Sequence, residues 1–181
     1  MKKLIVLIWE IVKIVVIASV IVIPIRYFLF QPFFVKGQSM DPSFENGDYL
    51  IIDEITYRFR QPTRGEVVVF KYPQNLSQRF IKRIIGLPGE TVEIKDGRVM
   101  IYSEGIKQIL DESDYLSADL WTAGELKVNL GPNEYFVLGD NRDFSLDSRR
   151  FGLLDRAYII GRVIIRAWPF AALTKFEAPS Y

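Results

Sequence analysis

The 181-residue chain contains no histidine and no cysteine, so it lacks the commonest general base and any thiol nucleophile. Any reaction it runs must use Ser, Thr, Lys, Tyr or carboxylates. Three segments hold such groups. The first is Gly37-Gln38-Ser39-Met40-Asp41-Pro42, where a serine in a glycine-containing turn is either a turn residue or a nucleophile awaiting a base. The second is Arg79-Phe80-Ile81-Lys82-Arg83-Ile84-Ile85. As a strand, it puts Phe80, Lys82 and Ile84 on one face and Arg79, Ile81 and Arg83 on the other, because side chains alternate with period two. A free lysine, with a pKa of about 10.4, is neutral only about once in 2,500 molecules at pH 7. Burial between two large apolar side chains disfavours the ammonium, and a shift of about three units, roughly 4 kcal/mol, makes a usable base near neutrality. The alternative is a lysine that snorkels from a sheet edge. The third segment, Gly139 to Gly152, is dense in polar residues directly after the apolar run Tyr135-Phe136-Val137-Leu138. It can be a solvated charged turn or a calcium loop built on Asp140, Asp143 and Asp147, although EF-hand spacing is absent and the interleaved arginines oppose a cation.

The elements that must position these groups are mostly strands. Short β-like runs are predicted at Tyr49–Asp53, Glu66–Tyr72, Arg79–Ile85, Thr91–Lys95, Arg98–Tyr102, Glu134–Leu138 and Ala157–Ala167, with an extended stretch at Phe33 to Lys36. Turn residues fall between them: Asn46-Gly47-Asp48, Arg64-Gly65, Pro88-Gly89, Gly131-Pro132-Asn133, and Asp96-Gly97, which reads as a tight hairpin. Between Glu104 and Glu125 alternation fades and acidic residues dominate, so residues 103–126 read as a solvated, variable excursion with no assigned chemistry. The expected fold class is mainly β: an antiparallel β-sheet catalytic domain, residues 32–181, with this smaller β excursion, behind one N-terminal transmembrane helix in residues 1–31.

That helix is expected because Leu4 to Ile25 is apolar except for Glu10, Lys13 and Ser19, and its twenty-two residues reach roughly 33 Å, about one bilayer core. An offset span from Lys13 to Phe30 serves equally. Glu10 and Lys13 can pair three residues apart, and Lys2 and Lys3 place the N-terminus in the cytoplasm by the positive-inside rule. A cleaved signal peptide is the competing reading, but no small-x-small site precedes Gln31-Pro32. A net charge of +1 argues against nucleic acid as a partner, and without cysteine or histidine there is no zinc–thiolate or imidazole site. No cofactor and no metal is expected.

Taken together and in order, Gln38-Ser39-Met40-Asp41-Pro42 with Asn46-Gly47-Asp48, Arg64-Gly65-Glu66-Val67-Val68-Val69-Phe70, Ile81-Lys82-Arg83-Ile84-Ile85-Gly86-Leu87-Pro88-Gly89, and Gly139-Asp140-Asn141-Arg142-Asp143 through Arg149 resemble the type I signal peptidase family. The resemblance covers Arg26 to Phe170. It implies that Ser39 is the nucleophile and Lys82 the general base, that Ser145 hydrogen-bonds and orients the lysine amine, that Asp147 and Arg149 form a supporting ion pair, and that Asp140 is structural. It implies an oxyanion hole built on the Ser39 N–H, with Gly37 where one branch of the family carries a serine hydroxyl. Phe144 departs from the asparagine frequent there. Substrates would be signal-peptide-bearing preproteins with small residues at the last and third-last signal positions, bound extended between the strand before Ser39 and the strand of Lys82. Val35, Met40, Phe44, Phe80 and Ile81 would line the first pocket, with Phe33, Leu50 and Val69 near the other. The lipid bilayer and the translocation machinery are the further partners implied, with the catalytic domain outside the plasma membrane. A self-cleaving regulator of the SOS-repressor type, a penicillin-binding enzyme and a non-catalytic membrane-tethered β module are the competing readings.

Overall fold

The computed structural model describes residues 2–28, 30–117, 121–179 and 181. Helix α1, Lys2–Phe28, is followed by β1, Phe30–Phe34, and β2, Tyr49–Asp53. The chain continues through β3, Val67–Tyr72; β4, Asn75–Gly86; β5, Thr91–Lys95; β6, Arg98–Ser103; β7, Ile106–Ile109; β8, Leu126–Asn129; and β9, Glu134–Leu138. A four-residue helix α2, Ser148–Phe151, precedes β10, Leu154–Asp155, β11, Ile159–Trp168, and β12, Thr174–Lys175. The fold is mainly antiparallel β. One sheet has the order β1-β2-β11-β3-β4-β9-β10 with β12 beside β11, and a second sheet has the order β7-β6-β5-β8.

Strand β4 organises the core. Its partner across the ladder is β3, with Val68 opposite Lys82 and Phe70 opposite Phe80. Period-two alternation sends Ile81 into one apolar cluster with Val67, Val69, Met40 and Phe44, while Ile84 joins Val68, Phe70 and Val137 in another. A register shift between Ile84 and Gly86 then turns Ile85 toward a third cluster, shared with Val92, Ile101, Phe136 and Leu138, which seats the second sheet against the first. The predicted runs at Tyr49–Asp53, Thr91–Lys95 and Glu134–Leu138 match their strands end to end.

Two expectations change. The extended stretch placed at Phe33 to Lys36 is a strand three residues earlier, β1, held in register with β2. The excursion carries the edge strand β7, whose four residues are all exposed and whose apolar pair, Ile106 and Ile109, lies three apart and shows no alternation. It is also anchored, since Leu110, Leu116 and Thr122 are buried.

In α1 large apolar side chains are exposed on every side, from Leu4, Val6, Leu7 and Ile8 through Ile14, Val15, Val16 and Ile17, and Lys13 pairs with Glu10 at 2.7 Å. Among the described residues no helix is long and apolar enough to cross a membrane. The span expected from Leu4 to Ile25 runs past Val20, beyond which the side chains of this helix lie outside the described residues.

The hairpin between β5 and β6 turns on Asp96 and Gly97, both at positive φ (51° and 72°) as a two-residue type I′ turn requires. Trp121 lies over this turn, so a Cβ on Gly97 would meet its ring at 2.3 Å. Gly97→Ala therefore combines backbone strain with overpacking. It should lower stability by about 1–3 kcal/mol in urea unfolding while leaving the distant Ser39 region unchanged.

Candidate active site

Ser39 is held from both sides by backbone hydrogen bonds. Beyond β1, Val35 N donates to Asp48 O (3.0 Å) and Gly47 N donates to Val35 O (2.9 Å), so the Asn46-Gly47-Asp48 turn staples the segment that leads to the serine. Asp41 N donates to Gln38 O (3.2 Å), Phe44 N donates to Met40 O (2.9 Å), and the fully buried Met40 and Phe44 fix this turn to the core. From the other side Asn141 N donates to Ser39 O at 3.2 Å. Gly139 makes that approach possible, because a Cβ there would lie 2.3 Å from Ser39 O and 2.2 Å from Ser145 Oγ.

Lys82 meets the serine from β4. Its Nζ lies 2.7 Å from Ser39 Oγ and donates to Ile81 O at 2.7 Å. In the ammonium form Nζ donates to Oγ; in the amine form the hydroxyl donates to the nitrogen lone pair. The side chain is 3% exposed and its amine lies 5.6 Å from the centre of the Phe80 ring, on the face that alternation predicts. Burial lowers the Lys82 pKa to about 8, against the opposing pull of Asp147 and Asp140.

Those two carboxylates have their own cations. Arg83 takes Asp140 through Nε (2.9 Å) and Nη2 (2.6 Å), with Nη1 on Gly65 O (3.0 Å). Arg149 takes Asp147 through Nε (2.9 Å) and Nη2 (2.8 Å). Burial pushes the Asp147 carboxyl up, but the hydrogen bonds and charge of Arg149, with the Gly139 N–H, hold it below the usual carboxylate range. With Asp140 and Asp147 taken by arginines, two of the three oxygen ligands of a calcium loop are lost, and no carboxylate cluster among the described residues is placed to hold a metal.

Two expected roles meet a different geometry. Ser145 Oγ is buried and makes no hydrogen bond to Lys82, so the bond expected to orient the amine is not made here; the hydroxyl lies close enough to Asp147 to help hold that carboxyl low. Lys82 has used two donors on Ser39 and Ile81, and a third remains for that hydroxyl. Gly37, at φ 91°, donates its N–H to Asn46 Oδ1 at 2.9 Å, which removes it as a second oxyanion donor in this arrangement. The Ser39 N–H takes no part in the hydrogen bonds of its turn.

A cleft of about 810 Å³ opens at Ser39 and Lys82. Of the apolar residues expected to line it, Phe33, Phe80 and Ile81 do so. Val35, Met40, Phe44, Leu50 and Val69 are closed into the core cluster behind Ile81, which packs against them, so they back the wall without forming it. Residues given no pocket role from the sequence complete it: Pro32, Gln78, Arg79 and the exposed Phe144 and Leu146. Sequence reasoning also missed Arg83 as the partner of Asp140, and Arg142, which is fully buried and bonds Gly139 O (3.1 Å), Thr122 Oγ1 (2.5 Å) and Glu112 (2.9 Å). Arginines in so polar a loop look solvated unless their long-range partners are known.

The family described as signal peptidase, peptidase S26, matches residues 8–168. The chain belongs to this family. It is 38% identical over 165 residues to the probable signal peptidase I-2 of a Synechocystis species, covering 88% of this chain and 73% of the relative. It is 37% identical to the signal peptidase I of Leptolyngbya laminosa (93% and 83% covered) and 36% identical to the signal peptidase IB of Staphylococcus aureus (87% and 87% covered). This signal peptidase family makes the chain a hydrolase of the type I signal peptidase class, which removes signal peptides.

Because the Gly139 Cα approaches both Ser39 O and Ser145, Gly139→Ala in this signal peptidase should displace the serine. Cleavage rate should fall roughly 100-fold or more, measured on a purified preprotein, with circular dichroism showing the strands retained.

Proposed function

We propose that the chain removes signal peptides by serine–lysine acyl-enzyme chemistry, with Ser39 as nucleophile and Lys82 as general base. The observation that carries this is the 2.7 Å contact between Ser39 Oγ and a buried amine whose pKa burial brings down to about 8. At that value about one amine in ten is neutral at pH 7, roughly 200 times the fraction of a free lysine. Neutral Lys82 takes the Ser39 hydroxyl proton as Oγ bonds to the carbonyl carbon. The resulting ammonium gives that proton to the leaving amine as the peptide C–N bond breaks. A water, deprotonated by the same amine, then hydrolyses the ester. The Ser39 N–H, left out of its turn's hydrogen bonds, would donate to the oxyanion.

The substrate of this reading is a preprotein whose signal peptide lies extended in the cleft between residues 33–38 and 77–82, where open backbone can pair with it. Selection of small side chains beside the scissile bond follows from the wall formed by Phe33, Phe80 and Ile81, since the core behind them is packed and cannot yield to a larger group. Ser145 would take the hydrogen of the neutral lysine left over from Ile81 O, and Asp147–Arg149 and Asp140–Arg83 would hold the loop around it. We further propose that residues 1–31 anchor the enzyme in the bilayer with the N-terminus on the cytoplasmic side and residues 32–181 outside, near the translocation machinery. Supporting this are the 27 residues of α1 and the apolar side chains it leaves exposed all round, a pattern that suits lipid.

Ser39→Ala and Lys82→Met should each reduce cleavage of a preprotein ending in Ala-x-Ala to background, with unchanged circular dichroism; full processing by either would refute the dyad. The active form of the base is the neutral one, so activity should rise with pH through a midpoint of about 8. A midpoint near the ordinary lysine value of about 10.5 would show that the amine is not desolvated during catalysis.

A further inference from the structure

After β7, residues 110–116 form a braced turn against the loop that follows β9. Asp111 Oδ1 accepts from Ser113 N (3.1 Å) and Oγ (2.7 Å), Leu116 N donates to Glu112 O (2.9 Å), and Leu110 and Leu116 are buried at either end. Two side chains reach out from it. Tyr115 lays its ring on the Arg83 guanidinium, with Cζ 3.8 Å from the ring centre, and donates its hydroxyl to Glu112 Oε1 at 2.6 Å. Glu112 in turn accepts both terminal nitrogens of the fully buried Arg142, one at 2.9 Å. The same turn thus holds the outer side of Arg83, which neutralises Asp140, and of Arg142, which grips Gly139 O.

We infer that this turn is a positioning element for catalysis, in which Tyr115 acts through Arg83 to keep Asp140 neutralised beside Lys82, and Glu112 acts through Arg142 to hold the loop that fixes Ser39. The inference rests on the serine–lysine reading above. The charges that bear on Lys82 are Asp147 and Asp140, which are paired with Arg149 and Arg83, and Arg83 is faced in turn by Tyr115 and Tyr181. A guanidinium covered by an aromatic face is held by cation–π attraction and shielded from water on that side. Without the ring, the outer face of Arg83, still bonded to Asp140 and Gly65 O, is opened to the adjoining cavity of about 410 Å³, which Tyr115 and Arg83 both line, and water there screens its charge. Asp140 then acts on Lys82 with less opposition, the ammonium is favoured, and the base keeps its proton to higher pH.

The test is the pH profile of kcat and KM for preprotein cleavage by the full chain in detergent, from about pH 6 to about pH 10. Tyr115→Ala should move the midpoint up by about half a unit or more and lower kcat at pH 7 at least about threefold, with KM unchanged. Tyr115→Phe keeps the ring and should keep the wild-type midpoint although it loses the hydroxyl bonds. If Tyr115→Ala does not fold, Tyr115→Leu, with apolar volume but no ring face, carries the same expectation. An unmoved midpoint in the ring-less variant, with only a lower melting temperature, would overturn the positioning role. So would equal shifts in Tyr115→Phe and Tyr115→Ala. Retained cleavage by Ser39→Ala fails the dyad itself, whereas loss of cleavage there with an unmoved midpoint in Tyr115→Ala fails the positioning role alone.

Discussion

Two carboxylates, Asp140 and Asp147, are completely buried close enough to Lys82 for both to favour its charged form. Left alone, either would take the lysine as its counter-ion, and a lysine committed to an ion pair cannot accept a proton. Arg83 and Arg149 prevent this by claiming the carboxylates bidentately. Buried pairs of this kind add little net stability, because desolvation offsets much of their attraction. What they decide is the assignment of charge: the arginines, which cannot be deprotonated, carry the positive charge, and the lysine is left to be neutral. The loop after β9 and strand β4 are brought together by this requirement as much as by their apolar contacts.

Packing then brings the proposed dyad together. Ser39 and Lys82 are 43 residues apart, and their contact depends on a turn anchored by Met40 and Phe44 and on a strand whose alternating faces enter different clusters. The residues behind the cleft wall do structural work first. Their close packing makes the wall rigid, and a rigid shallow wall discriminates by size without making specific bonds.

Strand existence was legible wherever alternation was clean and turn residues bracketed it, as in Thr91–Lys95 and Glu134–Leu138. It was not legible in β7, whose apolar residues are spaced three apart on an exposed edge. Alternation also placed Lys82 correctly among Phe80 and Ile84. What could not be read locally was the polar framework. Arg83 finds Asp140 57 residues away and Arg142 finds Glu112 30 residues away, and nothing near either arginine distinguishes it from a solvated one. The acidic excursion read as solvated and variable because its acidic residues were weighed before their partners were known.

On the proposed serine–lysine reading, the Lys82 amine would have a further consequence for the second half of acylation. The group expelled from the scissile bond becomes the α-amine of the mature protein, and such amines have pKa values of about 7.7–8.0. A lysine brought to about 8 therefore matches its leaving group almost evenly, so the proton can pass in either direction with little free-energy difference. An ordinary lysine would hold that proton against the leaving amine by roughly 3 kcal/mol. The burial that would free Lys82 to receive a proton from Ser39 would also make it acidic enough to give the proton away.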